Sequence, residues 1–454
     1  MKNHLSLSHR PKYNIVLLAI IAIVLALAGI YIVFKSHAAT FNADINGDGV
    51  VDVRDLAILA ANFRKTGQSF GQGDLNGDGT VDIQDFSILA LDWSSGSSTT
   101  AVKPPIQGLV TEDASTPNAM ETGNIGGIVA AAQWSDLEST QNGPINSKTT
   151  GNMTANAIDK AIAVAKAYNT ANPQTPIYVK IRILAGIDAP DWAEHLKTVA
   201  EPNGFNPVFI SDLQTPSAAG NIGPFWTPEY AAAYRTFQNQ LAALYNDDPL
   251  VRDITVSQCM TVFAEPFQRI DVDSNGGWDA LYNEGYNVTD DMNCLMTEAD
   301  SYEAWTHTHV SYSFNSWNPW IPQSGGGYAQ NPNGGDLGEM QQVMAHCRDV
   351  NVLGSRCTIE NNSIRADTIG KETNPSTLYY YLAGAGNDIT FQTASASRIC
   401  GTGTYTPAEE EECFHTTVDW AATQVHANSV EVPQDYDQQE MQDDNQLLLA
   451  NPIK

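Results

Sequence analysis

The chain has 454 residues, with 23 Lys and Arg against 52 Asp and Glu, and carries a net charge of −29 at pH 7. So acidic a chain repels phosphate backbones, which excludes nucleic acid as an ordinary partner. At 42% hydrophobic residues it can bury a sizeable core, and its 6 cysteines, an even count, suit disulfides in an oxidising compartment.

The run from Ile15 to Phe34 is apolar and long enough to cross a bilayer, and Lys2, Arg10 and Lys12 precede it on the side that stays cytoplasmic. Ser36 and Ala38 supply small residues ahead of a cleavage point before Ala39. Residues 1–39 therefore read as a cleaved signal or as a single-pass signal anchor, which leaves the membrane as a partner if uncleaved. Both readings put the rest of the chain outside the cell, secreted or held at the outer face of the cytoplasmic membrane.

Two loops of nearly the same wording follow, DINGDGVVDVRD from Asp44 and DLNGDGTVDIQD from Asp74. So many carboxylates in a short loop repel one another unless a cation sits among them. Asp44, Asn46 and Asp48 stand at loop positions 1, 3 and 5, with Gly49 for the sharp turn and Val50 offering a carbonyl. Asp52 and Asp55 complete an oxygen cage at positions 9 and 12. Asp74, Asn76, Asp78, Thr80, Asp82 and Asp85, with Gly79, repeat the set. Hard oxygen donors without His or Cys select Ca²⁺, one ion per loop. Each loop leads into a helical pattern, with Leu56, Leu59 and Phe63 on one face and Phe86, Leu89 and Trp93 on the other repeat's face. The two halves should pack on each other.

Phe41 to Trp93 resembles a type I dockerin, a small all-α domain of two EF-hand-like loop–helix repeats folded around two Ca²⁺ ions. The resemblance implies a cohesin-type protein partner. It departs at loop positions 10 and 11, where many dockerins carry a small polar or hydroxyl pair and this chain has Val53 and Arg54, then Ile83 and Gln84. The domain is placed at residues 40–94, and a Gly/Ser/Thr stretch closing in prolines makes 95–105 a linker.

From residue 106 to 454, short β-branched runs alternate with amphipathic helical segments. Eight strands are expected: GLV, GIVAAAQW, IYVKIRILA, DITVSQCMTVFA, HVSYSFNSW, RCTIENNS, DITFQTA and SVEVP. Alternation over this length predicts an α/β fold, a TIM (β/α)8 barrel, with its site at the C-terminal strand ends. Glu265, read as following the fourth strand at Ala264, and Glu360, at the end of the sixth, form a carboxylate pair suited to glycoside hydrolysis. Such a pair needs no cofactor for catalysis. Glu265 is expected to be the protonated acid and Glu360 the ionised partner. Flat apolar faces and hydrogen-bonding groups for a sugar are sought in Trp134, Trp192, Trp226, Trp317 and Trp320, beside Asp188, Asp191, Asn315, Asn361, Asn362 and Gln392. Glu431 on the last strand is the reserve carboxylate.

The order AAQWSDLEST, VKIRILAGIDAPDWA and FWTPEYAAAYRTFQNQLAALYNDDPLVRDITVSQCMTVFAEPF is similar to the first half of a clan A glycoside hydrolase barrel. That resemblance implies an extracellular O-glycosyl hydrolase of retaining mechanism acting on a polysaccharide or glycoconjugate, with Glu265 as acid/base. Two departures stand out. Ala264 occupies the place of the family's usual Asn, and Glu360 falls on strand six where the family nucleophile closes strand seven. The alternatives are a catalytically inactive surface protein that binds carbohydrate or adheres through the same barrel, and other barrel chemistry through Asp188 or His195. Sequence leaves the disulfide pairing open; neighbours are expected to pair, Cys259 with Cys294, Cys347 with Cys357 and Cys400 with Cys413.

Overall fold

The computed structural model describes Ala43, Ile45 and residues 53–96, 102–147, 155–212, 215–265, 277–315, 320–330, 337–369, 378–385, 388–432 and 438–452. It divides into two compact units, Met1–Ala101 and Val102–Lys454. The apolar run Ile15 to Phe34 lies outside the described residues. Among the described residues no helix is long and apolar enough to cross a membrane.

In the first unit, α1 (Val53–Asn62) and α2 (Ile83–Gly96) are the helices of the two repeats. They share one small core of Ala43, Ile45, Leu59, Leu75, Val81 and Leu89, so the halves do bury their apolar residues together. The face is turned from the expected one. Leu59 and Leu89 are its centre and Leu56, Ile58 and Ile88 flank it, while Phe63 and Phe86 are 40% and 42% exposed. The Trp93 side chain lies outside the described residues. Gly73, at φ 102°, lets the second repeat pass against Leu59, since a Cβ there would stand 2.9 Å from the Leu59 Cα.

The second unit is built on eight parallel strands: β1 (Gly108–Thr111), β2 (Gly127–Gln133), β3 (Tyr178–Leu184), β4 (Val251–Thr255), β5 (His309–Ser313), β6 (Cys357–Ile364), β7 (Ile389–Thr393) and β8 (Ser429–Val432). They close in the order β1-β8-β7-β6-β5-β4-β3-β2, a TIM barrel with all eight expected strands. The longer helices outside it are α3 (Ala157–Ala171), α4 (Pro228–Tyr245), α5 (Val288–Thr297), α6 (Leu337–Cys347), α7 (Leu378–Gly384), α8 (Pro407–Trp420) and α9 (Gln438–Leu449). Local chemistry sets their starts: Asn156 caps α3, Thr227 with Pro228 starts α4, and Thr406 and Glu409 form a capping box on α8, with Pro407 at its first position. The link from β1 to β2 runs through turns without a helix.

Strand β4 is shorter than the sequence suggests, and the reason lies in where its donors go. Val256 N–H still bonds to Ser311 O at 2.8 Å, but Ser257 N–H turns to the Tyr302 hydroxyl and Cys259 N–H to Glu298 Oε2, each at 3.0 Å. Without ladder bonds the chain leaves the sheet, and the Cys259–Cys294 disulfide holds it there. Glu265 therefore lies in the loop beyond β4, not at its end. The cysteines pair as neighbours, Cys259–Cys294, Cys347–Cys357 and Cys400–Cys413.

The main core fills the space between strands and helices, with Ile128, Ile181, Ile254, Val310, Ile359, Phe391 and Val430 all buried in it. A separate small cluster of Ile106, Val110, Val129 and Tyr178 stands apart from it. The rest of the barrel interior is polar, which is unusual for a space that branched aliphatic side chains ordinarily fill.

Candidate active site in the barrel interior

Lys180 and Arg182 stand two residues apart on β3, where the strand period puts both on one face. That face is the interior, because their partners come from strands that do not neighbour β3. Lys180 Nζ lies 2.7 Å from Glu360 Oε1 on β6 and 2.6 Å from Glu431 Oε1 on β8. Arg182 pairs with Glu431 and lies 3.9 Å from Glu360. Both glutamates are fully enclosed. Asp253 on β4, which accepts bonds of 2.7 and 2.6 Å from the Ser311 hydroxyl, completes the charged layer.

The two glutamates are pushed in opposite directions. Burial, with the Glu431 charge, raises Glu360 to about 7. Burial also acts against Glu431, but Arg182 and Lys180 outweigh it and hold that carboxyl at about 2. Glu360, expected from sequence to be the ionised partner, is thus the more readily protonated of the two, and Glu431 is the more firmly ionised. Glu360 Oε2 has no hydrogen-bond partner among the described residues.

Around this layer, three amide–carboxylate pairs gather several of the expected residues. Gln392 Nε2 donates to Glu112 Oε1 at 3.0 Å, Gln133 Nε2 donates to Asp188 Oδ1 at 2.5 Å, and Asn315 Nδ2 donates to Glu265 Oε2 at 2.5 Å. Partial desolvation raises the pKa of half-buried Asp188 and, although its side chain is exposed, of Glu112. The Asn315 amide is oriented by its neighbours, since its Oδ1 accepts from the Asn362 backbone N–H at 2.9 Å and from Asn361 Nδ2 at 2.8 Å. Glu265 is half-exposed, unlike Glu360 and Glu431.

The tryptophans divide differently. Trp134 is fully buried, donates to Glu138 Oε2 at 3.0 Å and packs edge-on against Trp192, Tyr230 and Tyr234, so it is core and not a sugar platform. Trp192 leans on it and donates to Glu138 O at 3.1 Å. Trp226 belongs to a separate cavity. Trp320 is half-buried in a two-stranded hairpin, Asp191 is exposed, and Trp317 lies outside the described residues.

Sequence reasoning missed Lys180, Arg182, Glu112 and Glu298. Glu298 is enclosed, and burial raises it to about 8. The Tyr312 hydroxyl contacts both Glu298 Oε1 and Leu295 O, the latter at 2.8 Å. One phenolic proton cannot serve both in full, and a protonated Glu298 supplies the second. Glu298, Tyr312, Ser313 and Glu265 share a cavity of about 10 Å³. Raised acids have a consequence for stability. The folded barrel holds protons on Glu298, Glu360 and Asp444, the last raised to about 7 by burial, that the unfolded chain releases near its ordinary values. Stability should fall as pH rises from about 4.5 toward 8, while Glu431 adds stability as pH rises from about 2 to 4.5. Thermal melts across this range should peak near pH 4, and Glu298→Gln should flatten the alkaline arm. A melting temperature that climbs steadily to pH 8 would contradict the protonated assignments.

In the first unit, the second acidic loop is shaped by its own carboxylates. Asp74 accepts from Gly77 and Gly79 N–H at 2.9 Å each, Asp78 from Thr80 N–H at 2.8 Å, and Asp82 from Gln84 N–H at 2.7 Å. Asp85, fully buried, accepts from Leu75 N–H at 2.7 Å, and Asp55 accepts from Ile45 N–H at 2.8 Å at the equivalent point of the first repeat. This all-oxygen set fits Ca²⁺. Asp44, Asn46, Asp48, Val50 and Asp52 lie outside the described residues. Residues 42–91 match the family described as dockerin type I domain.

Residues 42–91 are a type I dockerin domain. Dockerins bind calcium, and the Asp74–Asp85 loop carries oxygen donors of the kind such an ion takes.

For the barrel, no curated protein matches the chain. Solved structures similar to it include the Pseudomonas stutzeri endoglucanase Cel5A, at 10% identity and a TM-score of 0.35, covering 75% of this chain and 96% of that one. The GH30 endoxylanase of Clostridium papyrosolvens is 11% identical with a TM-score of 0.37, covering 74% and 67%. The D-psicose 3-epimerase of Clostridium cellulolyticum is 11% identical with a TM-score of 0.34, covering 75% and 96%. These likenesses carry no inference about chemistry, and an epimerase stands among the hydrolases.

Proposed function

We propose that the barrel hydrolyses O-glycosidic bonds in an extracellular polysaccharide or glycoconjugate, and that the dockerin, with two Ca²⁺ ions, attaches it to a cohesin-type partner. The observation that carries the hydrolase reading is the pair of interior carboxyls driven apart in pKa, Glu360 up and Glu431 down, beside the half-exposed Glu265. Carboxyl groups tuned to opposite charge states are what acid-assisted hydrolysis uses. In this reading the roles expected from sequence exchange. Glu360 protonates the leaving oxygen while Glu265, bonded by the Asn315 amide, attacks the anomeric carbon. Water then gives a proton to Glu360 and its hydroxide displaces Glu265, which is the retaining route. Gln392, Glu112, Gln133 and Asp188 would meet sugar hydroxyls. Exposed Ile83, at 63%, beside exposed Gln84 and Phe86, offers the partner an apolar face at the dockerin's loop positions 10 and 11.

Incubating the full chain with a panel of polysaccharides and counting new reducing ends tests this. Glu265→Gln and Glu360→Gln should each lower the rate about 10²–10⁴-fold with folding retained. A second reading, a non-catalytic carbohydrate-binding barrel, is favoured by the enclosure of Glu360 and Glu431 in ion pairs. Binding by the native chain without any release of reducing ends would establish it in place of the first.

A further inference from the structure

Away from the Lys180–Glu360 network, where the loop after β3 meets the start of α4 and the flank of α5, lies a half-open cavity of about 460 Å³. Its size is in the range of small-molecule sites, roughly 300–1,000 Å³. Phe205 and Trp226, packed edge to face with ring centres 5.7 Å apart, are buried in its wall. Gln258, fully enclosed, lines it as well. Its Oε1 accepts from Ser301 Oγ at 2.6 Å, but the contacts of its Nε2 among the described residues are the disulfide sulfurs of Cys259 and Cys294, at 3.8 and 3.6 Å. Sulfur is a weak acceptor, so a buried amide here has donor capacity to give to an oxygen.

The charge on the lining has one sign. Glu201, Glu284 and Asp290 stand on it, and no Lys, Arg or His does. Glu284 accepts from the Asn206 amide at 3.1 Å and Asp290 from the Asn287 amide at 2.7 Å, but neither these two nor Glu201 has a cationic partner within 4.0 Å among the described residues. Three carboxylates without a counter-cation around an aromatic wall favour a ligand that is apolar on one face and positive at one end.

We propose that this cavity is a glycan-binding site for a sugar unit with a free amine. The ring's C–H face would lie against the wall that Trp226 and Phe205 form, a ring or hydroxyl oxygen would accept from Gln258 Nε2, and the ammonium would sit among the rim carboxylates. The site does not depend on hydrolysis in the barrel, because its readout is binding.

Titration calorimetry of the full chain tests this with a glucosamine oligomer, its N-acetylated form, a glucose oligomer of equal length and a lysine-containing peptide. The glucosamine oligomer should bind, and acetylation or the paired change Glu284→Gln with Asp290→Asn should weaken it by about tenfold or more. Binding should also weaken with salt. Glu201→Gln, at an exposed rim position, should give a smaller loss in the same direction and guards against a folding defect in the pair. Equal affinity for the acetylated or neutral oligomer, affinity for the peptide matching that for the sugar, binding unchanged by the rim substitutions, or no binding at all would each overturn the proposal. Sugar bound in the barrel interior would not respond to the rim changes, so hydrolysis could fail while this site stands, and the reverse.

Discussion

Lys180→Met will destabilise the barrel by about 3–5 kcal/mol, the usual cost of removing one partner from a buried ion pair. The Lys180 ammonium lies within 2.7 Å of one carboxyl oxygen on β6 and one on β8. Without it, two enclosed glutamates face each other with Arg182 as the nearest cation. Glu360 can relieve part of the cost by taking a proton, so the loss should grow as pH rises above about 7. Urea unfolding followed by near-ultraviolet circular dichroism would measure it. A loss below about 1 kcal/mol would place the pair among weakly coupled surface bridges. Adding Glu360→Gln to Lys180→Met should recover stability, because it removes one of the charges left unpaired.

Removing calcium will unfold the dockerin and leave the barrel intact. The Asp74–Asp85 loop directs Asp74, Asp78, Asp82 and Asp85 onto backbone N–H groups, which set the loop's turns but do not cancel four negative charges. A bound cation does, and a metal present at about 1,000 times its dissociation constant adds about 4 kcal/mol to the folded state. The core it supports is small, with Leu59, Leu75, Val81 and Leu89 among its few members. Hydrogen exchange on the full chain with excess chelator should show the amides of α1 and α2 losing protection while those of β1 to β8 keep theirs. Unchanged protection in α1 and α2 would show that the apolar contacts alone hold the domain.

Much of this architecture was legible because its signals are local. The acidic loops repeat position by position, and the strands appear as short β-branched runs between helical patterns. The fourth strand is shorter than its sequence pattern for a physical reason. SQCMTVFA is apolar enough for a strand, but its course is decided by Tyr302, Glu298 and Cys294, which lie some forty residues further on and take up its N–H groups and its cysteine. The charged interior was also open to reading. Lys180 and Arg182 alternate with Val179, Ile181 and Ile183, and in a strand with helices behind it the polar half of that alternation must face inward. Asp253, Glu360 and Glu431 repeat the same phase on other strands. What sequence could not supply was the closure of the barrel, which brings β3 opposite β6 and β8 and fixes which carboxyl keeps its proton.

The disulfides bear on how the chain is made. Each cysteine is joined to the next one along the sequence, across separations of 35, 10 and 13 residues. A chain emerging from its N-terminus into an oxidising space would present Cys259 first, and its native partner Cys294 is the next thiol to arrive. The same holds for the two later pairs, so order of arrival alone favours the native set over the crossed ones. Loops of this length close at modest entropic expense, and a bond across about 15 residues restricts the unfolded chain by about 3 kcal/mol. The first of these bonds also holds the segment that carries Glu265 off the sheet, so oxidation would shape the loop beyond β4 before β5 is available to close beside it.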